Sequence, residues 1–435
     1  MSESARALLN TVDDAPMSRF QVLAVALCVA LNMLDGYDVL VMAFTASEVA
    51  REWNLSGSAL GVVLSAGLVG MAIGSLVVAP WADRFGRRAV ILGCLGVLTL
   101  GMLLSALARQ PWQLTGLRVL TGVGIGGILA SLNVITSEYS SRKWRSAAIG
   151  IQVTGYPIGA TLGGTVAAFL ITSYGWRSAF LFGAACSALM VPVVVAGLPE
   201  SLDFLLARRP KDALPRLNHL LRRMGRPELA ELPAAEAPAP ERRQNPIGRL
   251  FLGSAARATP LIWSAFFLLM FSFYFVTSWT PRLLVAAGLS TREGITGGVL
   301  LNLGGIVGGT LFGWLSSRLP LRLVAAAYLG CLAASLLLFG VFAGDLRTAL
   351  PIALAIGVFL FGSMVGLYAA TPLLYPAEIR TTGMGWAIGI GRIGAILAPV
   401  IAGMLVDRGW SAEQLYYAFA APVALALVAV CALRL

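Results

Sequence analysis

Twelve apolar runs, each long enough to cross a bilayer, leave this chain one class of fold. A span needs roughly 20 mostly apolar residues. Six such runs fall near 20–47, 57–81, 89–108, 112–138, 146–173 and 177–198. Six more fall near 260–287, 294–316, 321–343, 348–375, 383–406 and 414–434. Within hydrocarbon each backbone N–H and C=O must find its partner inside the protein, so runs of this length and number read as helices. Composition agrees, since 435 residues that are 58% hydrophobic and 12% charged exceed the needs of a water-soluble core. The expected fold class is an all-α polytopic membrane protein with twelve transmembrane helices.

The polar segments divide the chain. Residues 1–19 form an N-terminal segment whose Asp13 and Asp14 argue against a cleaved signal peptide. Residues 20–198 and 260–435 form the two helical halves, and 199–259 is a linker with eleven Lys/Arg and the run Pro233-Ala-Ala-Glu-Ala-Pro-Ala-Pro240. With both termini and the linker on one side, that side carries 23 Lys/Arg and the other 7; Arg118 and Arg392 lie inside spans. The positive-inside rule places the richer side in the cytoplasm. The formal charge of +11 is therefore topological, aided by attraction to anionic membrane lipid, and no nucleic-acid partner is expected. Five cysteines, all in apolar runs, give no disulfide framework, and a single histidine, His219, gives no metal site or cofactor.

The halves echo each other. Gly175-Trp176 precedes the sixth run and Gly409-Trp410 the twelfth, each followed by an Ala-Phe pair (Ala179-Phe180, Ala418-Phe419). Six and six helices with internal echoes imply two six-helix bundles around a cavity at mid-membrane, the design of alternating-access carriers.

Chemistry enters with Asp35-Gly36-Tyr37-Asp38 in the first span. A carboxylate at mid-bilayer costs roughly 2.5–3.5 kcal/mol on insertion scales. Residues three apart share a helix face, and mutual repulsion in a partly dry setting favours a proton on at least one of them. The glycine between lets a helix or a ligand come close. Proton coupling needs an ionisable group inside the membrane, and elimination leaves Asp35, Asp38 and Glu138. Glu138 sits near Arg142 and Arg145, which favours a structural ion pair. Arg118 and Arg392 can each hold a carboxylate through two parallel hydrogen bonds. Arg118 either binds an acidic substrate or neutralises an aspartate. Aromatics at membrane depth in the second half (Phe273, Tyr274, Trp279, Tyr368, Tyr375, Trp386) could meet a ring, and Asn133, Gln152 and Asn302 are expected as buried amides able to read a hydroxyl. The runs Gly122–Gly127 and Gly304–Gly309 read as close helix contacts, without the lysine or the strand of a nucleotide site.

Several motifs resemble the major facilitator superfamily nearly end to end. Trp81-Ala-Asp-Arg-Phe-Gly-Arg-Arg88 is similar to its loop signature between the second and third helices, with Ala79 where a glycine is usual. Arg118-Val-Leu-Thr-Gly122-Val-Gly124 resembles its fourth helix, and Pro199-Glu200-Ser201 and Tyr375-Pro-Ala-Glu-Ile-Arg380 resemble its organic-solute branches. The second-half loop departs, with Ser317 in place of an acid, and Gly155-Tyr156-Pro157 differs from the Gly-Pro pair of drug antiporters. More narrowly, Asp35-Gly-Tyr-Asp38 and Gly391-Arg-Ile-Gly394 resemble the aromatic acid:proton symporters. This resemblance implies a monomeric carrier in the bacterial cytoplasmic (inner) membrane that imports a hydroxybenzoate-like carboxylate with protons. It makes Arg392 the ligand for the carboxylate, and Asp83, Arg84, Arg87 and Arg88 a gate closing near Glu138 and Arg142. Rival readings are a carrier of a non-aromatic acid, a metabolite exporter and a membrane sensor that binds without turnover. A membrane enzyme lacks any nucleophile–base or metal constellation.

Overall fold

A computed structural model describes residues 16–232, 246–252, 255–342, 345–376 and 379–433. Asp13 and Asp14, the Pro233–Pro240 run, and Ala377 and Glu378 of the Tyr375–Arg380 motif lie outside the described residues.

Twelve helices are long and apolar enough to span a membrane. In the first half they are α1 (Arg19–Glu52), α2 (Gly57–Ile73), α3 (Arg87–Ala106), α4 (Pro111–Glu138), α5 (Arg145–Tyr174) and α6 (Trp176–Gly197). In the second they are α7 (Ala255–Ala286), α8 (Thr291–Ser316), α9 (Leu321–Phe342), α10 (Leu346–Ala370), α11 (Arg380–Asp407) and α12 (Ala412–Ala432). An even number of spans returns the chain to its starting face, here called the base; the opposite face is the top.

Local chemistry sets the ends. Ser18, Ser290 and Ser411 begin α1, α8 and α12 with reciprocal bonds to Gln21, Glu293 and Gln414, satisfying N–H groups that a first turn leaves open. Gly175 and Gly409 both adopt φ +81°, so the Gly-Trp echo is one turn used twice. α1 runs to Glu52, past the expected residue 47, because Glu48 and Glu52 lie at a wet end and pair with Arg51 and Arg177. α2 loosens over Gly74–Val78 and tightens over Ala79–Trp81, then closes with Ala82–Phe85; Pro80 lacks the N–H that a regular helix would use there. In the linker, Leu202–Arg208 and Ala213–Arg223 are short helices.

Small residues carry the helix crossings. A side chain at Gly122 or Gly126 of α4 would collide with the α2 backbone, and one at Gly304 or Gly308 of α8 with that of α10. The two halves meet where α2 faces α11, α5 faces α8 and α1 faces α7. At the top, Asp407 of α11 accepts the Gly57 and Ser58 N–H groups of α2 at 2.5 and 2.8 Å, capping the facing helix. Thr291 of α8 bonds Glu48 of α1 at 3.0 Å, and nearer mid-depth Ser65 donates to the Ile396 carbonyl at 2.7 Å.

Candidate substrate cavity

The two aspartates of α1 have different surroundings. Asp38 accepts from Arg118 Nη1 of α4 at 3.1 Å, each side chain only 3% exposed. Arg118 also reaches Ser105 Oγ at 3.3 Å, and its guanidinium lies 4.9 Å from the Phe180 ring centre. This charge pair is enclosed within the first half. Of the two roles open to Arg118, the geometry matches neutralising an aspartate. A small cavity of about 20 Å³ adjoins the pair, lined by Val39, Met42, Leu64 and Gly67, room for one water.

Asp35 is also buried, at 4% exposure, yet neither carboxylate oxygen has a hydrogen-bond partner among the described residues. Its electrostatic neighbours include Asp38 on its own helix and Arg392, which reaches it from α11 in the other half. Tyr156 of α5 and Tyr274 of α7 are close enough to feel its charge, and Arg392 acts on Tyr274 and on Tyr368 of α10. No described residue forms a salt bridge with Arg392. Tyr368 is 38% exposed. One acid, one base and three phenols from five helices thus gather between the halves. Asp35 and Arg392 lie near the midpoints of their helices, which sets this cluster at mid-depth.

Gly36 lies against the α5 backbone at Tyr156, where any side chain would strike the Tyr156 carbonyl. The close approach that glycine permits is therefore made by a helix. One turn towards the base, Asn32 Nδ2 donates to the Gln152 carbonyl at 2.6 Å. Tyr37 holds α1 to α6 through a 2.7 Å bond to the Ala179 carbonyl.

Of the three amides, Gln152 and Asn302 are buried and each keeps an oxygen without a hydrogen-bond partner; Asn302 Nδ2 bonds the Gly298 carbonyl at 2.9 Å. Asn133 differs from expectation and is exposed, whereas Arg118 and Ser131 of the same helix are buried. Trp279 is a second correction. It is fully buried, and its indole N–H donates to the Pro399 carbonyl at 3.1 Å, so it seals α7 against α11 and has no free face for a ligand. Phe273 is likewise packed on Phe361, and the Tyr375 hydroxyl meets Thr259 at 3.2 Å. Trp386 lies towards the base, stacked on Trp263 with ring centres 5.7 Å apart.

At the base, Arg87 bonds Asp83 at 3.1 Å and lies 3.9 Å from Glu138. Glu138 accepts from Ser201 Oγ at 2.8 Å and the Leu202 N–H at 2.7 Å. This joins α4 to the linker helix Leu202–Arg208. Arg84 rests on Phe85, and Arg142 occupies the turn between α4 and α5. Glu200, absent from the expected gate, accepts the N–H groups of Arg87 and Arg88 at 2.7 and 3.2 Å. It packs where a side chain at Gly86, held at φ +97°, would stand. The second-half Ser317 only bonds its own helix at the Trp314 carbonyl.

Sequence reasoning missed Tyr156, Glu200 and Asp407. Tyr156 was visible only as the odd residue before Pro157, and Glu200 as part of Pro199-Glu200-Ser201. Asp407 carried no local signal at all.

Two halves of six spans, meeting over charged groups at mid-depth, define a membrane carrier built for alternating access. The chain belongs to the Major Facilitator Superfamily, whose pattern matches residues 25–372. It is a transporter and not an enzyme. Over 433 residues it is 34% identical to the gallate transporter of Pseudomonas putida, covering 97% of this chain and 93% of that one. It is 32% identical to the 4-hydroxybenzoate transporter PcaK of Pseudomonas putida, covering 96% and 94%. Its fold matches a bacterial homologue of the human lysosomal transporter Spinster with a TM-score of 0.72 at 18% identity, covering 96% of each chain.

Proposed function

We propose that this transporter imports a small aromatic carboxylate with a proton across the bacterial cytoplasmic membrane, its base facing the cytoplasm. One observation carries the reading. Asp35 and Arg392 approach from opposite halves, neither with a salt bridge among the described residues, beside Tyr156, Tyr274 and Tyr368. An organic acid supplies what each side lacks, a carboxylate for the guanidinium and a flat ring for the phenol faces. Aromatic contacts add about 0.5–1.5 kcal/mol beyond area burial. The resemblance to carriers of gallate and 4-hydroxybenzoate supports a hydroxylated ring, and the unpartnered oxygens of Gln152 and Asn302 are acceptors suited to ring hydroxyls.

In this mechanism Arg392 takes the carboxylate in two parallel hydrogen bonds, and Asp35 takes the proton. The loaded cavity is then nearly neutral and can close over its cargo. Discharge to the base leaves Asp35 ionised opposite Arg392, an internal pair that lets the empty carrier return. Asp38 and Arg118 stay balanced throughout. Residues 20–198 and 260–435 move as the two bundles, joined by 199–259, with Asp83, Arg87, Glu138 and Glu200 at the base contact. A monoanion moving with one proton is electroneutral, so one pH unit supplies about 1.4 kcal/mol, roughly tenfold accumulation.

Uptake into proteoliposomes under an imposed pH gradient tests this. Hydroxybenzoate should compete better than cyclohexane carboxylate, which lacks the flat ring, or benzyl alcohol, which lacks the charge. Arg392→Lys should weaken competition about tenfold, because an ammonium cannot match the planar fork. Equal competition by benzyl alcohol, with normal binding by the lysine variant, would refute carboxylate recognition.

A further inference from the structure

Away from the cavity, the base carries a cleft of about 600 Å³ between the ends of α3 and α6 and the linker helix Ala213–Arg223. Arg216, His219 and Arg223 line it from one face of that helix, and Arg88 lines it from α3. Two carboxylates also line it, and both are engaged. Asp212 pairs with Arg216 at 2.6 Å, and Glu200 accepts the Arg87, Arg88 and Ser201 N–H groups. One Arg88 amino group donates to the Val195 carbonyl of α6, while its buried Nε lacks a partner among the described residues. Arg223 rests on the Phe20 ring at 4.1 Å, which leaves its N–H edge available. The lining carries three arginines against two carboxylates, so the cleft is net basic, and Arg223 keeps N–H donors free for an anion.

Directly above it along α6 lies a second, apolar feature. A groove of about 360 Å³ runs between α1, α5 and α6, lined by Met33, Leu34, Leu162, Val166, Cys186 and Leu189. Leu189, which lines the groove, and Ala196, which lines the cleft, are seven residues apart, two helical turns, and so share one face of α6. From Ala196 up to Cys186 is ten residues, about 15 Å, the hydrocarbon depth of one leaflet. Leu189 and Val193 on that face are 68% and 42% exposed.

We propose that these two features form one binding site for an anionic phospholipid. The headgroup phosphate sits among Arg88, Arg216, His219 and Arg223, and an acyl chain follows the groove between α1, α5 and α6. A free phosphate would use only the cleft; the aligned groove is what selects a lipid. The site joins the membrane surface to Arg88 and Glu200, the residues that anchor the base of α3.

The test uses the full chain in nanodiscs containing equal phosphatidylglycerol and phosphatidylcholine. Lipid retained after transfer to detergent is counted by native mass spectrometry, and affinity is titrated with phosphatidylglycerol and with glycerol phosphate. The wild type should retain phosphatidylglycerol selectively and bind it at least tenfold more tightly than glycerol phosphate. Arg216→Ala with Arg223→Ala should lower that affinity on the order of 30-fold, about fivefold per basic residue. The corresponding double lysine variant, which keeps charge, should restore most of it. Leu162→Trp, which fills the groove, should weaken phosphatidylglycerol several-fold and leave glycerol phosphate unchanged. Equal retention of both lipids, or an unaffected double alanine variant of normal helicity, overturns the site. Glycerol phosphate binding as tightly as phosphatidylglycerol overturns the lipid assignment.

Discussion

Replacing Arg118 with methionine should destabilise the transporter far more than it weakens its ligand. The pair with Asp38 has an N–O distance of 3.1 Å and side-chain exposures of 3% on both partners. Charges about 4 Å apart attract by roughly 4 kcal/mol at an effective dielectric near 20. Removing one member of such a buried pair costs about 3–5 kcal/mol, because the other charge is stranded without water. The Ser105 bond and the Phe180 contact are lost as well. Asp38→Leu in the same chain removes the stranded charge, and replacing a whole buried pair by apolar groups is often near neutral. The double variant should therefore recover most of the loss, with a coupling of at least about 2 kcal/mol. Equilibrium unfolding of the four proteins in detergent measures that coupling, and hydroxybenzoate binding to each measures the site. An Arg118→Met protein of normal stability that no longer binds the acid would refute the reasoning and return Arg118 to the ligand.

Three further outcomes follow from the same geometry. Asp35→Asn should abolish gradient-driven accumulation while sparing counterflow, since an amide cannot exchange a proton; wild-type accumulation would move the proton site elsewhere. Trp279→Phe should cost roughly 1 kcal/mol of stability for the lost bond to Pro399, with affinity unchanged; a tenfold loss of affinity would restore Trp279 to the cavity. Asp407→Asn weakens two charge-assisted bonds that cap α2 across the halves. A cysteine at Ser58 should then label several-fold faster from the top, and an unchanged rate would exclude Asp407 from closing that face.

Much of this was written into single stretches of sequence. The spans were legible because hydrocarbon admits so few ways to satisfy a backbone, and the turns before α6 and α12 because both need a glycine at φ +81°. The charged residues of mid-membrane were legible for the opposite reason, since each is too costly to be incidental. Asp35, Asp38, Arg118 and Arg392 could thus be named from their positions alone. Their partners could not. Asp38 and Arg118 lie 80 residues apart, and Asp407 and Gly57 lie 350 apart. Which acid meets which arginine depends on how the helices rotate and cross, and no periodicity within one helix records that. A crossing of α7 over α11 sealed Trp279. The passage of α5 across Gly36 brought Tyr156 to Asp35. The sequence determined what must lie in the membrane and which groups had to be neutralised there; only the tertiary packing decided that Asp38 is satisfied within its own half, while Asp35 is left without a hydrogen-bond partner among the described residues, with Arg392 of the other half among its electrostatic neighbours.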